Sequence, residues 1–424
     1  MASGDVPLAT APWLAAPESR RVLAALAADG RPARFVGGCV RDALLDPARD
    51  VADLDLATPE RPERVMALCR AAGLKVIPTG LKHGTVTAHA GARTYEVTTL
   101  RRDVATDGRH AVVEFTDDFA ADAARRDFTI NAMSCDAEGR LFDPFNGRED
   151  LAAGRVRFVG DARARIVEDY LRILRYFRFY ARFGRAPVDA EALGACAALA
   201  GGIGRLSGER VRQELLKLLV APGAVASLGL MREAGVLGHV LPGAGAIEPL
   251  ERFAAAWPEA DALVRLALLL RSGRADAPAV ERVAERLRLS VKERERLVRL
   301  VTLPAPEVDA GAGAVRQGFY ALGGAGTYLD LLRLRLALEG GDLAVTAPVE
   351  ALAGGWREPA LPVSGDDLLA RGVPPGSRLG AVLGAVRAWW TERDFAPDRA
   401  ACLARLDEVL RGEGEATPQD RSTP

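Results

Sequence analysis

Residues 35–58 read FVGGCVRDALLDPARDVADLDLAT. The apolar start runs into Gly37-Gly38, and CVRDALL then takes helical spacing, so the stretch begins strand, turn, helix. DVADLDLAT alternates with period two, which predicts a second strand. Alternation puts Asp53 and Asp55 on one face, with Leu54 and Leu56 on the other. Two carboxylates held so close repel each other unless a cation sits between them, and Mg2+ takes oxygen ligands while keeping substrate phosphates in its shell. For D-x-D taken alone, a solvated strand edge is the better account. Glycines at a strand-to-helix turn let backbone approach a phosphate, and the helix start favours anions. Arg41, one turn in, adds a charge-assisted contact. An ordinary tight turn is the competing account, since the stretch is neither a G-K-[ST] loop nor a full G-x-G-x-x-G.

Outward from there, strand and helix signals alternate. ESRRVLAALAADG (18–30) and PERVMALCRAAG (62–73) read as helices. KVIPTG, GTVTAHA and TYEVTTL are β-branched runs between turn residues, hence strands. TYEVTTL places Glu96 on a strand, as a third acid able to hold a metal or take a proton, or as a plain exposed side chain. RRDVATDGRHAVVEF (101–115) reads as a polar loop returning as a strand, FTINAMSCD (128–136) as a further strand and GRLFDPFNG (139–147) as a turn region. In ARRDFTINAM, Arg125 and Arg126 suit phosphate oxygens, while Asp127 and Asn131 order a turn or bond a ribose. A structural Arg–Asp pair is the alternative.

After about residue 156 the strand signals stop, and the spacing predicts helices over 161–183, 189–199, 207–220 and 223–234, with more to the end. The expected class is α+β: an α/β head followed by an all-helical remainder. LAGGWREPALPVSG (352–365) reads as a linker before a last helical unit, and the terminal RGEGEATPQDRSTP as disordered.

The 424 residues imply several domains. Net charge is −1, so no gross basic excess announces nucleic acid, though local patches matter more than the sum. The five cysteines are scattered, with no Cys-x-x-Cys, which fits buried thiols in a reducing compartment. Without a signal peptide or an apolar run of ~20 residues, the expectation is a cytoplasmic protein that is not in a membrane. The histidines show no metal spacing.

EDYLRILRYFRF (168–179) poses a separate puzzle. Its apolar residues recur at helical spacing, yet Asp169, Arg172, Arg175 and Arg178 recur every third residue. A solvated stripe with an internal ion pair is one reading. A row of groups aimed at a ligand is the other.

Four motifs, GGCVRD…DVADLDLAT, RRDFTINAM, EDYLRILRYFRF and RLSGERVRQELLKLL, come in an order that resembles the class II tRNA nucleotidyltransferase and poly(A) polymerase family, most like its CCA-adding members. The resemblance runs from about residue 33 to 220. VSGDDLLARGVPPGSRLGAVLGAV (363–386) also resembles a helix–Pro-Gly–helix element of some members. It implies a polymerase-β-like nucleotidyltransferase head over 1–155, a helical neck over 156–245, a body over 246–350 and a tail over 351–424. The implied activity is template-independent addition of C, C and A to tRNA from CTP and ATP, with Mg2+ as cofactor and no protein partner.

By that resemblance Asp53 and Asp55 are metal ligands, with Glu96 carried over as a third catalytic acid. Gly38, Arg41 and Arg126 bind triphosphate, and Asp127 and Asn131 support the sugar or the turn. Asp169 and Arg172 read the incoming base. The chemistry is consistent, because a carboxylate only accepts hydrogen bonds and a guanidinium only donates. Cytosine and adenine each offer an amino donor beside a ring acceptor, whereas uracil and guanine offer the reverse. Arg175 and Arg178, further along at ~1.5 Å per residue, reach phosphates. Residues 98–115 resemble the flexible loop of full CCA-adding enzymes, with Arg102 and Asp103 in its charged part. Arg205, Arg210, Arg212 and Lys217 are candidates for RNA contact, or else a solvated helix face or pairs that stiffen the neck. Poly(A) polymerase and partial CC- or A-addition are the same-family alternatives. A non-catalytic RNA-binding relative is the alternative from another class.

Overall fold

The computed structural model describes residues 8–51, 53–107 and 110–414. Nine strands lie in the head: β1 Arg34–Val36, β2 Asp53–Thr58, β3 Lys75–Gly80, β4 Thr85–Ala90, β5 Arg93–Thr99, β6 Arg101–Asp107, β7 His110–Phe115, β8 Ser134–Cys135 and β9 Leu141–Phe142. Seven of them form one mixed sheet in the order β3-β4-β5-β2-β1-β8-β9, and β6 and β7 form a separate ribbon. The head helices are α1 Pro12–Ala15, α2 Pro17–Leu26, α3 Gly38–Leu45, α4 Pro62–Ala71, α5 Phe119–Ala124 and α6 Gly147–Ala153.

The sheet is one-sided where it matters. In β2, Leu54 and Leu56 are buried while Asp53 and Asp55 are exposed. In β5, Tyr95 and Val97 are buried and Glu96 is exposed. The apolar face packs under α2 and α4. Each fully buried Leu, Val or Tyr is worth ~1.5–3 kcal/mol, and a slip of one residue would bury the carboxylates instead, so the register is strongly fixed. Strands β2 and β5 run parallel with Asp55 opposite Glu96.

Two sequence expectations in the head are corrected. Residues 101–115 are not a loop that returns as a strand. Arg101–Asp107 and His110–Phe115 form an antiparallel ribbon in which Arg102 lies opposite Glu114. FTINAMSCD is not a continuous strand. Thr129–Asn131 is a 3-10 turn, and only Ser134–Cys135 joins the sheet. The Asp127 carboxylate accepts the Phe128 amide at 2.9 Å, a backbone donor that a strand would use, and the Asn131 side-chain amide at 3.0 Å.

The neck helices are α7 Ala162–Glu168, α8 Leu171–Phe183, α9 Ala190–Leu199, α10 Gly208–Leu219 and α11 Ala224–Glu233. The single helix expected over 161–183 is therefore broken. Asp169 adopts extended backbone (φ −156°, ψ 106°), and its carboxylate accepts the Leu171 amide at 3.1 Å at the start of α8. A tertiary contact accompanies this local cap. The Tyr170 ring lies over Gly202 so closely that a Cβ there would sit 1.9 Å from it.

Helix α8 buries Ile173, Leu174, Tyr176 and Phe177 against α10 and α11. Phe128 of the head meets Phe179 of α8 at 5.1 Å and Phe158 at 4.9 Å between ring centroids. This aromatic cluster fixes the head against the neck. One buried core runs continuously from Leu8 to Ala337. The last helices, Gly365–Leu369, Ser377–Glu392 and Arg399–Gly414, follow an irregular stretch over 356–364 and enclose a smaller core around Trp390 and Leu406. Among the described residues no helix is long and apolar enough to cross a membrane.

Candidate active site

A cavity of about 460 Å3 opens between head and neck. Its head side is the turn at Gly37-Gly38 with Arg41, Asp55, Arg125, Arg126, Asp127 and Asn131. Its neck side is Asp169, Arg172, Arg175 and Phe179. Residues far apart in sequence thus face one space, because α3 and α8 flank it.

The turn depends on Gly37, which has φ +74° and whose hypothetical Cβ would lie 3.1 Å from the Arg126 guanidinium. Any other residue would be strained there and would crowd that arginine. Gly38, singled out from sequence, is the first residue of α3 and has no such constraint. Arg41 is buried and donates to the Asn131 side-chain oxygen Oδ1 at 2.6 Å, while Asp42 holds its other edge. Burial lowers its pKa, opposed by Asp42 and reinforced by Arg182 and Arg178. Asn131 passes the chain of contacts to Asp127, whose carboxylate pairs with Arg175 at 2.5 Å. Burial works against the Asp127 charge, but Arg175, Asn131 and the Phe128 amide outweigh it and hold the pKa below the usual carboxylate range. Arg175 is raised for the converse reason: burial disfavours its charge, and Asp127 and Glu214 more than restore it.

The acids on the sheet differ. Among the described residues, no ion pair is formed by Asp53, Asp55 or Glu96. Desolvation by surrounding protein, then repulsion from Glu96 and Asp53, pushes the Asp55 carboxyl above its ordinary pKa, with Arg126 pulling the other way. Oxygen donors that repel each other and lack a basic partner are a donor set suited to a hard divalent cation, which takes one or two carboxylates and fills its shell with water and phosphate. A cage of three or more such ligands is not assembled among the described residues. Asp55 lines the cavity; Asp53 and Glu96 lie beside it on the open sheet face.

On the neck side, Asp169 and Arg172 do not pair with each other. Arg210 donates to Asp169 at 2.7 Å. Arg172 pairs with Glu168 at 2.5 Å and donates to the Arg165 carbonyl at 2.7 Å. Each group is held from behind with hydrogen-bonding capacity left over. Arg178 is not in this cavity. It pairs with Glu214 and opens into a neighbouring cleft.

The other sequence-derived candidates are dispersed. Arg102 pairs with Glu114 across the ribbon at 2.7 Å. The Asp103 side chain lies outside the described residues. Arg205 is exposed, with its guanidinium 5.4 Å from the Tyr170 ring centre. Arg212 bonds the Arg288 carbonyl and Glu293, joining neck to body. Lys217 is exposed beside Arg178.

Two buried acids that pair with the site arginines escaped the sequence reading. Asp122 is 3% exposed and pairs with Arg125 and Arg126 at 2.7 and 3.4 Å. Glu214 is 6% exposed and bridges Arg175 and Arg178. Glu214 had a signal: it occupies the same stripe as Val211, Leu215 and Leu218 on α10, so an acid falls where a core residue belongs.

Residues 33–157 match the family described as "Poly A polymerase head domain", and residues 187–247 match "Probable RNA and SrmB- binding site of polymerase A". The chain is 36% identical to a zebrafish (Danio rerio) protein named CCA tRNA nucleotidyltransferase 1, mitochondrial, over 88% of this chain and 87% of its relative. The chain belongs to the CCA tRNA nucleotidyltransferase family. Against the CCA-adding enzyme of Geobacillus stearothermophilus it is 40% identical over 57% of this chain and 59% of that one. The crystal structure of the Bacillus stearothermophilus CCA-adding enzyme in complex with CTP superposes with a TM-score of 0.79 at 29% identity, covering 94% of this chain and 98% of that chain. As a CCA tRNA nucleotidyltransferase, the chain has its polymerase head in β1–β9, and the cavity described above lies between that head and α8.

Proposed function

We propose the following division of labour for the addition of C, C and A to the 3′ end of tRNA. Asp53 and Asp55 hold Mg2+ on the open face of β2, and the cation, when bound, supplies Lewis-acid stabilisation of charge on the reacting phosphate oxygens. The amides at Gly38, with Arg41 and Arg126, bind the triphosphate. Asp127 and Asn131 lock Arg41 and Arg175 in place around the sugar. Glu96, next to Asp55, takes the proton of the attacking 3′-hydroxyl as it bonds to the α-phosphorus and pyrophosphate leaves.

Asp169 accepts a hydrogen bond from the amino group of cytosine or adenine, and Arg172 donates to the ring nitrogen beside it. Uracil and guanine leave both protein groups facing like partners, and a site built on polar contacts rejects such mispairing strongly. The observation that carries this reading is that Asp169 and Arg172 open into the same cavity as Asp55 and the Gly37-Gly38 turn. Arg210 and Glu168 keep the two reading groups apart, so both stay free for the base.

The proposed parts are a head to 155, a neck to 245, a body to 350 and a tail beyond, supported by the last strand ending at Phe142 and by the separate terminal core. Five buried free thiols support a reducing compartment such as the cytoplasm. Incubating tRNA that lacks its 3′ terminus with CTP and ATP tests the reading. Discrete CCA ends are expected; products stopping at CC, or long A tracts, overturn it.

A further inference from the structure

The arginine row of α8 does not end at the nucleotide cavity. A second cleft, about 610 Å3, continues between the outer ends of α3 and α8 and the last turn of α10. Arg41 and two phenylalanines form the divide. The Arg41 guanidinium lies 5.4 Å from the Phe179 ring centre, in the nucleotide cavity, and 4.4 Å from that of Phe183, in the second cleft. From Arg172 to Arg182 the helix advances ~15 Å, the rise of several stacked nucleotides at ~3.4 Å each.

The charges in this cleft are graded. Arg178 is matched by Glu214 and Arg182 by Asp42, the latter at 3.2 Å. Asp46 is engaged by the Ala48 amide at 3.1 Å. Arg49 and Lys217 are exposed, and no ion pair holds either among the described residues. Between these cations the rim exposes Leu45 (51%) and Val220 (47%), large aliphatic groups turned to solvent. Free cations with apolar surface between them suit a nucleic-acid strand, whose phosphates take the charges while its sugars and bases cover the aliphatic groups. They do not suit a free anion, which needs converging donors rather than separated ones.

We propose that this cleft is the docking surface for the phosphate backbone of the RNA strand being extended, with Arg49 and Lys217 as its phosphate contacts. The proposal rests on the nucleotidyl-transfer reading above and deepens it by assigning the RNA path. It also sorts the neck cations: Arg210 and Arg212 are committed to Asp169 and to the body, and Lys217 is left for RNA.

The test is the Arg49→Ala/Lys217→Ala double variant, with Lys217→Arg alongside. Both positions are exposed and outside the nucleotide cavity. Steady-state CMP incorporation gives separate KM values for CTP and for tRNA lacking its 3′ terminus, and binding of that RNA is measured across a salt series. The tRNA KM is expected to rise about tenfold at low salt, and the slope of log affinity against log salt to fall by about 2. The CTP KM, kcat and melting temperature should stay within twofold or a degree of the parent, and Lys217→Arg should keep parental values. A tRNA KM and salt slope equal to the parent's would overturn the proposal. So would a rise in the CTP KM alone, which would make the cleft part of the triphosphate site. RNA retention is read without turnover. Loss of the salt slope in an enzyme that never extends RNA therefore keeps the cleft and removes the catalytic reading.

Discussion

The two sides of the cavity between head and α8 handle charge in opposite ways. On the sheet wall, Asp53, Asp55 and Glu96 stand open and repel each other, and Asp55 is pushed toward its protonated form. On the helical wall, Arg172, Asp169 and Arg175 each have a fixed partner in Glu168, Arg210 and Asp127. The contrast separates two tasks. Acids left unmatched attract a cation and change with what binds. Matched groups keep one geometry, as a surface must if it is to tell one base edge from another.

The largest expected effect comes from the open wall. Asp53→Ala should lower CMP and AMP incorporation by about 10³-fold or more, in line with losing the main electrostatic stabiliser of a reaction, while RNA binding at fixed salt stays within twofold. Parental incorporation in that variant would remove Asp53 from the chemistry. On the matched wall, Arg210→Ala should cost about 10-fold in kcat/KM for CTP, because Asp169 loses the charged hydrogen bond that aims it. Arg210→Lys should recover part of the loss. An equal loss in both variants, accompanied by a lower melting temperature, would make Arg210 merely a packing residue.

The smallest effect is one of pH. The pKa of Asp127 is depressed in the folded chain, so its interaction stabilises the fold above the ordinary carboxylate pKa of ~3.9 and is lost as pH falls through the depressed value. Arg175→Met removes its main charge partner. The gap in melting temperature between parent and variant should be full at neutral pH and narrow below about pH 4. A gap independent of pH would show that Arg175 stabilises by packing alone.

The open wall was readable from sequence and the matched wall only in part. Asp53 and Asp55 share a face because strand side chains alternate, a local rule that needs no knowledge of the rest of the chain. The break at Asp169 was not signalled by a proline or glycine, although an aspartate can cap a new helix locally. Residues 161–183 contain no proline and no glycine; at the break the Asp169 carboxylate takes the Leu171 amide and Tyr170 packs over Gly202, a contact between distant segments. Partner choice was hidden for the same reason. Arg210 looked like an RNA contact on a polar helix face, and only the fold brings it to Asp169. The turn at Thr129–Asn131 was obscured differently, because β-branched and apolar residues there resemble a strand, while the Asp127 carboxylate takes the Phe128 amide and ties down the Asn131 side chain.

The claim that the helical wall reads the base is most directly tested by the ratio of kcat/KM for CTP to that for UTP, in the parent and in Asp169→Asn. An asparagine amide both donates and accepts, so it can bond the uracil O4 that a carboxylate repels. The account predicts a ratio that falls by about 10- to 100-fold, largely through gain of UTP use. An unchanged ratio in an active, stably folded variant would contradict it.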